Sequence, residues 1–198
     1  MRRRRPSALL IDLDGVLRVF DRARDAGIEH RYGLAAGALT ATAFAPERLT
    51  PAVVGRISHD EWMAGVGAAL GAPAAVAEWQ EYHGEVDPDV RALVVDVRAA
   101  GMRVGLATNG TDRLDSDLAE LGISDLFDAI VNASAIGVAK PHPEFFAAAC
   151  RALDVSPGEC LFVDDTPRYI AGARAAGLSA FRYTGPADLG YIRAALSV

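Results

Sequence analysis

The sequence predicts an α/β protein built on a doubly wound parallel five-stranded sheet, with an α-helical segment inserted after the first strand. Three observations carry this expectation. From residue 86 onward, short apolar runs alternate with amphipathic stretches, the pattern of strands joined by crossover helices. The apolar runs are continuous rather than alternating, as expected of strands covered by helices on both faces. Residues 17–85 break the alternation and carry helix signals instead.

The expected strands span 8–12, 102–107, 127–132, 160–164 and 179–183. The first opens on Ala8-Leu9-Leu10-Ile11 and its apolar run stops at Asp12. Helices are expected to begin near Asp87-Pro88, Asp112, Pro143 and Thr166-Pro167. Asp or Thr before Pro marks a start, because the first residue caps and proline has no N–H to lose. Leu121-Gly122 and Ala176-Gly177 mark stops, since glycine takes the left-handed position beyond a helix end.

Within 17–85 no convincing strand is expected. Thr50-Pro51 reads as a helix start, and Ser58-His59-Asp60-Glu61 reads as a capping box. Trp62, Val66, Leu70, Val76 and Trp79 supply apolar spacing for packed helices. The expected division is therefore a core of 1–16 and 86–198 with a helical insertion of 17–85.

Composition narrows the function classes. The chain has 198 residues, 51% of them hydrophobic, enough for one core domain with an insertion. No apolar run approaches the roughly 20 residues that span a bilayer. The basic start lacks the apolar stretch of a secretory signal, because Leu9-Leu10-Ile11 is cut short by Asp12. A soluble cytoplasmic protein is expected. The net charge of −6 argues against a nucleic-acid surface. The run Arg2 to Arg5 reads as a solvated tail. Cys150 and Cys160 read as small core residues, with no disulfide framework or metal cluster.

In an open parallel sheet, ligands bind outside the carboxyl ends of the strands. The first strand ends in Asp12 and Asp14, one residue apart and followed by Gly15. The second ends in Thr108-Asn109-Gly110-Thr111. The third is followed by a loop, residues 135–139, and then Lys140-Pro141. The fourth ends in Asp164-Asp165. Each feature alone has a bland reading as a cap, a turn or a surface side chain. Their joint occurrence, in order, brings carboxylates, a hydroxyl and an ammonium to one sheet edge. Carboxylates crowded together need a cation. Lys140 supplies one charge, and a hard divalent ion such as Mg²⁺ suits the oxygen ligands.

These residues carry a resemblance. Asp12-Leu13-Asp14-Gly15-Val16, Ala107-Thr108-Asn109-Gly110, Lys140-Pro141-His142-Pro143 and Phe162-Val163-Asp164-Asp165 are similar to the motifs of the haloacid dehalogenase-like (HAD) hydrolase superfamily, in the family's order. The resemblance implies a Rossmann-like core, with residues 17–85 as a small helical cap. It implies Asp12 as nucleophile and Asp14 as the acid and base that serves the leaving group and then water. It implies Mg²⁺ held by Asp12, the backbone carbonyl of Asp14 and Asp165. Asp164 is either a further ligand or a partner of one. Thr108 and Lys140 would hold phosphoryl oxygens, with backbone amides at Gly15, Asn109 and Gly110 as further donors.

The expected activity is that of a Mg²⁺-dependent phosphatase of a small phosphorylated metabolite, the protein being a monomer or homodimer. The alternative is a phosphomutase on sugar phosphates, which would use the same residues. Asp14 disfavours dehalogenation, since a halide needs no proton. The intact set disfavours a catalytically idle binding protein. Arg18, Arg22, Arg24, His30, Arg31 and His59 stand in the insertion and could read a leaving group, although a solvated surface role is the simpler reading of each. His83 and His142 read as structural or exposed.

Overall fold

Asp12 hangs from the central strand of a five-stranded parallel sheet. In the computed structural model, which describes residues 5–198, the strand order is β5-β4-β1-β6-β7. These are β1 (Ala8–Ile11), β4 (Arg103–Thr108), β5 (Ala129–Asn132), β6 (Cys160–Asp164) and β7 (Ser179–Arg182). Two further short strands, β2 (Arg18–Val19) and β3 (Glu85–Val86), pair antiparallel with each other. Ile11 of β1 lies in register with Leu106 of β4 and Val163 of β6, so the polar residues after all three strands emerge at one edge.

Side chains alternate across β1 and bury on both sides. Leu9 and Ile11 join the cluster formed by α6 (Pro88–Ala99), α7 (Leu114–Glu120) and α11 (Leu189–Leu196). Ala8 and Leu10 join the opposite cluster, built with Phe145 and Phe146 of α9 (Pro143–Ala152) and Ile170 of α10 (Pro167–Ala175). A fully buried Leu or Phe contributes roughly 1.5–3 kcal/mol, so a strand covered on both faces firmly anchors the acidic turn at its carboxyl end. Cys150 and Cys160 are buried free thiols of the second cluster.

Between β2 and β3 run α1 (Arg22–Arg31), α2 (Ala38–Ala43), α3 (Pro46–Val53), α4 (His59–Leu70) and α5 (Pro73–Gln80), while α8 (Ala133–Ile136) comes after β5. The first five pack around their own buried cluster, which includes Ile28, Leu39, Trp62, Val66 and Val76. The Ser58–Glu61 capping box forms, with Glu61 N donating to Ser58 Oγ at 3.1 Å and Ser58 N donating to Glu61 Oε2 at 2.8 Å. Glu29, buried in α1, accepts from the amides of Gly37 and Leu39 at 2.7 and 2.9 Å and so caps α2 from outside.

Four sequence expectations are corrected. A strand does occur at residues 18–19, where two residues are too few to give a period-2 signal. The Thr50-Pro51 start is wrong: α3 begins at Pro46, which takes the first-turn role, and Pro51 lies inside the helix. The helix expected near Asp112, α7, starts at Leu114, because Asp112 turns its carboxylate to the His59 amide, 2.8 Å away at the start of α4. Thr166 makes no side-chain cap; Asp164 Oδ1 accepts from the Thr166 amide at 2.8 Å instead.

Strand ends also shift: β1 ends at Ile11, β5 begins at Ala129 and Thr108 belongs to β4. Of the Arg2–Arg5 run only Arg5 falls within the described residues, and it donates to Ser197 Oγ at 3.1 Å. Among the described residues no helix is long and apolar enough to cross a membrane.

Candidate active site

The backbone at the end of β1 sets the site. Asp12 N donates to Val163 O at 2.9 Å, which prolongs the sheet by one bond. The chain then folds back on itself: Leu17 N and Arg18 N both donate to Leu13 O, at 2.9 and 2.8 Å. Gly15 sits in this turn at φ +82°, and a Cβ there would collide with the Asp165 carboxylate. Only glycine meets both conditions.

Lys140 joins the two acidic strand ends. Its Nζ lies 2.9 Å from Asp12 Oδ1 and 2.6 Å from Asp164 Oδ2. Tyr169 and Phe162 face the same ammonium, with ring centroids at 5.0 and 5.4 Å. The lysine backbone is clamped from both sides by one amide: Lys140 N donates to Asn109 Oδ1 at 2.8 Å, and Asn109 Nδ2 donates to Lys140 O at 3.1 Å. Gly172 of α10 lets that helix approach Pro141, since a Cβ would lie 2.8 Å from the Pro141 carbonyl oxygen. The expectation for Asn109 covered its backbone amide. The side chain's hold on Lys140 had no signal in the sequence.

The carboxylates differ in what they have left to offer. Asp164 is fully buried, and both its oxygens are taken, by Lys140 Nζ and the Thr166 amide. Asp12 Oδ1 accepts from Leu13 N at 2.8 Å as well as from Lys140, so both contacts fall on the same oxygen. Asp165 is half-buried and accepts from Thr166 Oγ1 at 3.0 Å through Oδ1. Asp12, Asp164 and Asp165 bring one oxygen each within 4.8 Å of one another. Thr108 is buried at the end of β4, beside Asn109-Gly110.

Burial pushes the Asp12 carboxyl up to about 8, with Asp164 adding to the rise and Lys140 opposing it. Burial also works against the Lys140 charge, but Asp12 and Asp164 outweigh it and raise the ammonium above its usual range. Both shifts arise in one desolvated place, where two buried carboxylates, Asp12 and Asp164, share the ammonium of Lys140. This donor set, all oxygen and short of positive charge, fits a hard divalent cation.

Asp14 pairs with Arg18, whose Nε and Nη2 reach Asp14 Oδ1 and Oδ2 at 2.6 and 3.2 Å. Arg18 in turn is no solvated side chain. It is buried, and its Nη1 reaches Asp117 Oδ2 on α7 at 2.9 Å.

The other insertion residues lie elsewhere. Arg31 pairs with Glu78, Arg24 stands over Tyr82, and Arg22 and His30 are exposed. His59 is held by Thr111 and Gln80, each at 3.2 Å. His83 lies against Arg113 and Asp117, and His142 caps α9, both as expected of structural or exposed groups. A cleft of about 390 Å³ runs from Gly15 and Asp165 to Val19, Arg182 and Thr184.

A family model described as haloacid dehalogenase-like hydrolase matches residues 6–177. The chain belongs to that family. Among curated HAD-like proteins, a phosphatase of Mycobacterium tuberculosis is 38% identical over 96 residues, covering 48% of this chain and 44% of that one. The β-phosphoglucomutase of Bacillus subtilis is 31% identical over 93 residues, covering 47% and 41%. The matched part thus amounts to less than half the length of either relative. A HAD family enzyme of Bacteroides thetaiotaomicron, solved in complex with magnesium and inorganic phosphate, shares the fold at TM-score 0.78 and 22% identity, over 94% of this chain and 98% of that one.

Proposed function

We propose that this HAD-like protein is a Mg²⁺-dependent phosphatase of a small phosphorylated metabolite that works through an aspartyl-phosphate on Asp12. The observation that carries the reading is the Lys140 ammonium held between Asp12 at 2.9 Å and Asp164 at 2.6 Å. That contact fixes one oxygen of Asp12 and leaves the other to attack. The names of the M. tuberculosis phosphatase and the magnesium and phosphate bound to the B. thetaiotaomicron enzyme support the same choice.

In this reading Asp12 Oδ2 forms a bond to phosphorus while the bond to the leaving oxygen breaks. Asp14 gives its proton to the leaving alkoxide and later takes one from the water that attacks phosphorus, which frees inorganic phosphate and restores Asp12. Thr108 and the amides of Gly15, Asn109 and Gly110 hold phosphoryl oxygens, and Lys140 neutralises their charge. Asp12, Asp165 and the backbone carbonyl of Asp14 would hold Mg²⁺, which when bound offsets the repulsion between carboxylate and phosphate. Asp164, with both oxygens engaged, keeps Lys140 in place rather than binding metal.

Residues 17–85 act as the cap over a core of 1–16 and 86–198. The cluster of Ile28, Leu39, Trp62, Val66 and Val76 supports this division, with Val53 of α3 joining the core beneath it. A lid that excludes water suits a small diffusible ester.

Purified protein assayed on a chromogenic phosphate ester, on sugar phosphates, on phosphoglycolate and on nucleotides, with Mg²⁺ and with chelator, tests the reading. Phosphate release that needs Mg²⁺ is expected. Its absence across the whole panel rejects the proposal, as does full activity in Asp12→Asn. The B. subtilis relative favours a second reading, a phosphomutase. Conversion of a sugar phosphate to its isomer faster than release of phosphate would select it.

A further inference from the structure

We propose that Arg18 is a positioning residue that sets the direction of the Asp14 carboxylate and is itself anchored on the core helix α7 through Asp117. The inference rests on the phosphatase reading and deepens its proton-transfer step. Arg18 is 8% exposed, and a guanidinium is costly to bury unless its donors are met. Three of them are met by two carboxylates: Asp14 at 2.6 and 3.2 Å, Asp117 at 2.9 Å. The planar fork matches both oxygens of Asp14 at once, which fixes the plane of that carboxylate as a single-point contact would not.

The anchor is itself held. Arg113 Nε donates to Asp117 Oδ1 at 3.0 Å, and His83 lies 3.3 Å from the same oxygen. The backbone of Arg18 closes the turn that carries Asp14, accepting from Gly15 N at 2.9 Å, and pairs with Val86 where the chain re-enters the core. Phe20 covers the guanidinium, with its ring centroid 5.1 Å away.

Exposure separates this role from a structural one. The Asp14 side chain is 48% exposed while that of Arg18 is 9%. A half-solvated carboxylate adds little to stability by pairing. What the pair does supply is direction: without Arg18, an exposed side chain beyond the end of β1 would rotate freely. Both Asp14 oxygens accept N–H bonds from Arg18 here, so one of these bonds must open for that oxygen to take up the proton it later gives to the leaving group, while the other bond keeps the carboxyl in place.

The test uses leaving groups. An alkyl phosphate needs protonation as it departs; an aryl phosphate with an acidic phenol does not. We therefore expect Arg18→Met to lower kcat/KM for the alkyl ester roughly 10- to 100-fold, part of the full general-acid contribution. The aryl ester should change less than about 3-fold, because kcat/KM reads only steps up to the first phosphoryl transfer. Asp14→Asn should show the same selectivity, more strongly, and Arg18→Lys should recover part of the loss. Asp117→Ala, which keeps both partners of the Arg18–Asp14 pair but removes the anchor of Arg18, should give a smaller selective loss and serves where Arg18→Met does not fold.

Equal losses on both esters, or no loss on either, would overturn the assignment of Arg18 while leaving the phosphatase reading intact. Wild-type protein with no Mg²⁺-dependent release on any ester overturns both, and that failure is seen before any variant is made.

Discussion

Lys140 and Asp164 meet at 2.6 Å with side chains only 1% and 0% exposed. A pair so deeply buried is expensive to break from one side, since the surviving Asp164 charge keeps only the Thr166 amide at 2.8 Å and no cation. Lys140→Met is expected to destabilise the fold by about 3–5 kcal/mol and to remove activity. Denaturant unfolding and a phosphate-release assay read the two effects. A variant as stable as the parent would mean that the pair is not closed to solvent.

The Asp12 carboxyl gives a pH dependence with a definite sign. Its folded value, about 8, lies above the ordinary 3.8. The folded protein therefore binds more protons than the unfolded chain between these values, and stability falls as pH rises through that window. Metal-free protein should lose thermal stability from acid toward pH 8, and Asp12→Asn should flatten the decline. Melting curves at several pH values with chelator present decide it; a parent curve as flat as that of Asp12→Asn would contradict the assignment.

Cation binding should run the other way. Mg²⁺ needs the ionised carboxylate, so its stabilising effect should grow with pH. The shift in Tm on adding Mg²⁺ is expected to be larger at pH 8 than at pH 6. A shift absent at both pH values would argue against a cation at these acids.

Gly15→Ala attacks the same place by sterics. The φ of +82° is strained for any side chain, and the new Cβ meets Asp165 Cγ at 2.9 Å. The backbone term alone is about 1–2 kcal/mol, and Asp165 must move. A raised Mg²⁺ requirement, measured by titrating activity with the cation, is the expected signature; loss of stability with an unchanged Mg²⁺ requirement would separate Gly15 from the acids.

Asn109→Ala removes the clamp on the Lys140 backbone and leaves an amide and a carbonyl unpaired. The expected cost is about 1–3 kcal/mol for each group left buried, with a fall in kcat larger than any change in KM. Thermal unfolding beside steady-state kinetics would show it.

Much of this molecule is legible in one dimension. Each strand end that carries a polar motif is identified from local pattern, because an apolar run that stops at an acid is a local fact. The helices starting at Pro88 and Pro143 are legible from proline in the first turn, a signal of the same local kind. The failures are equally physical. Thr50-Pro51 misleads because proline at an earlier position, Pro46, has already opened the helix. Asp112 misleads because its carboxylate serves the start of α4, reached across 53 residues of chain.

The sequence by itself determined the α/β alternation, the inserted helices and the inventory of groups at the sheet edge, since each depends on neighbours within a few residues. Tertiary structure decided what those groups do to one another. Lys140 reaches Asp164 across 24 residues, and Arg18 reaches Asp117 across 99. Such contacts arise from the strand order β5-β4-β1-β6-β7 and from the turn at Gly15, so no local pattern encodes them. The turn sends Asp12 to the lysine and Asp14 to the arginine, and only the folded chain could give different partners to two acids that stand one residue apart.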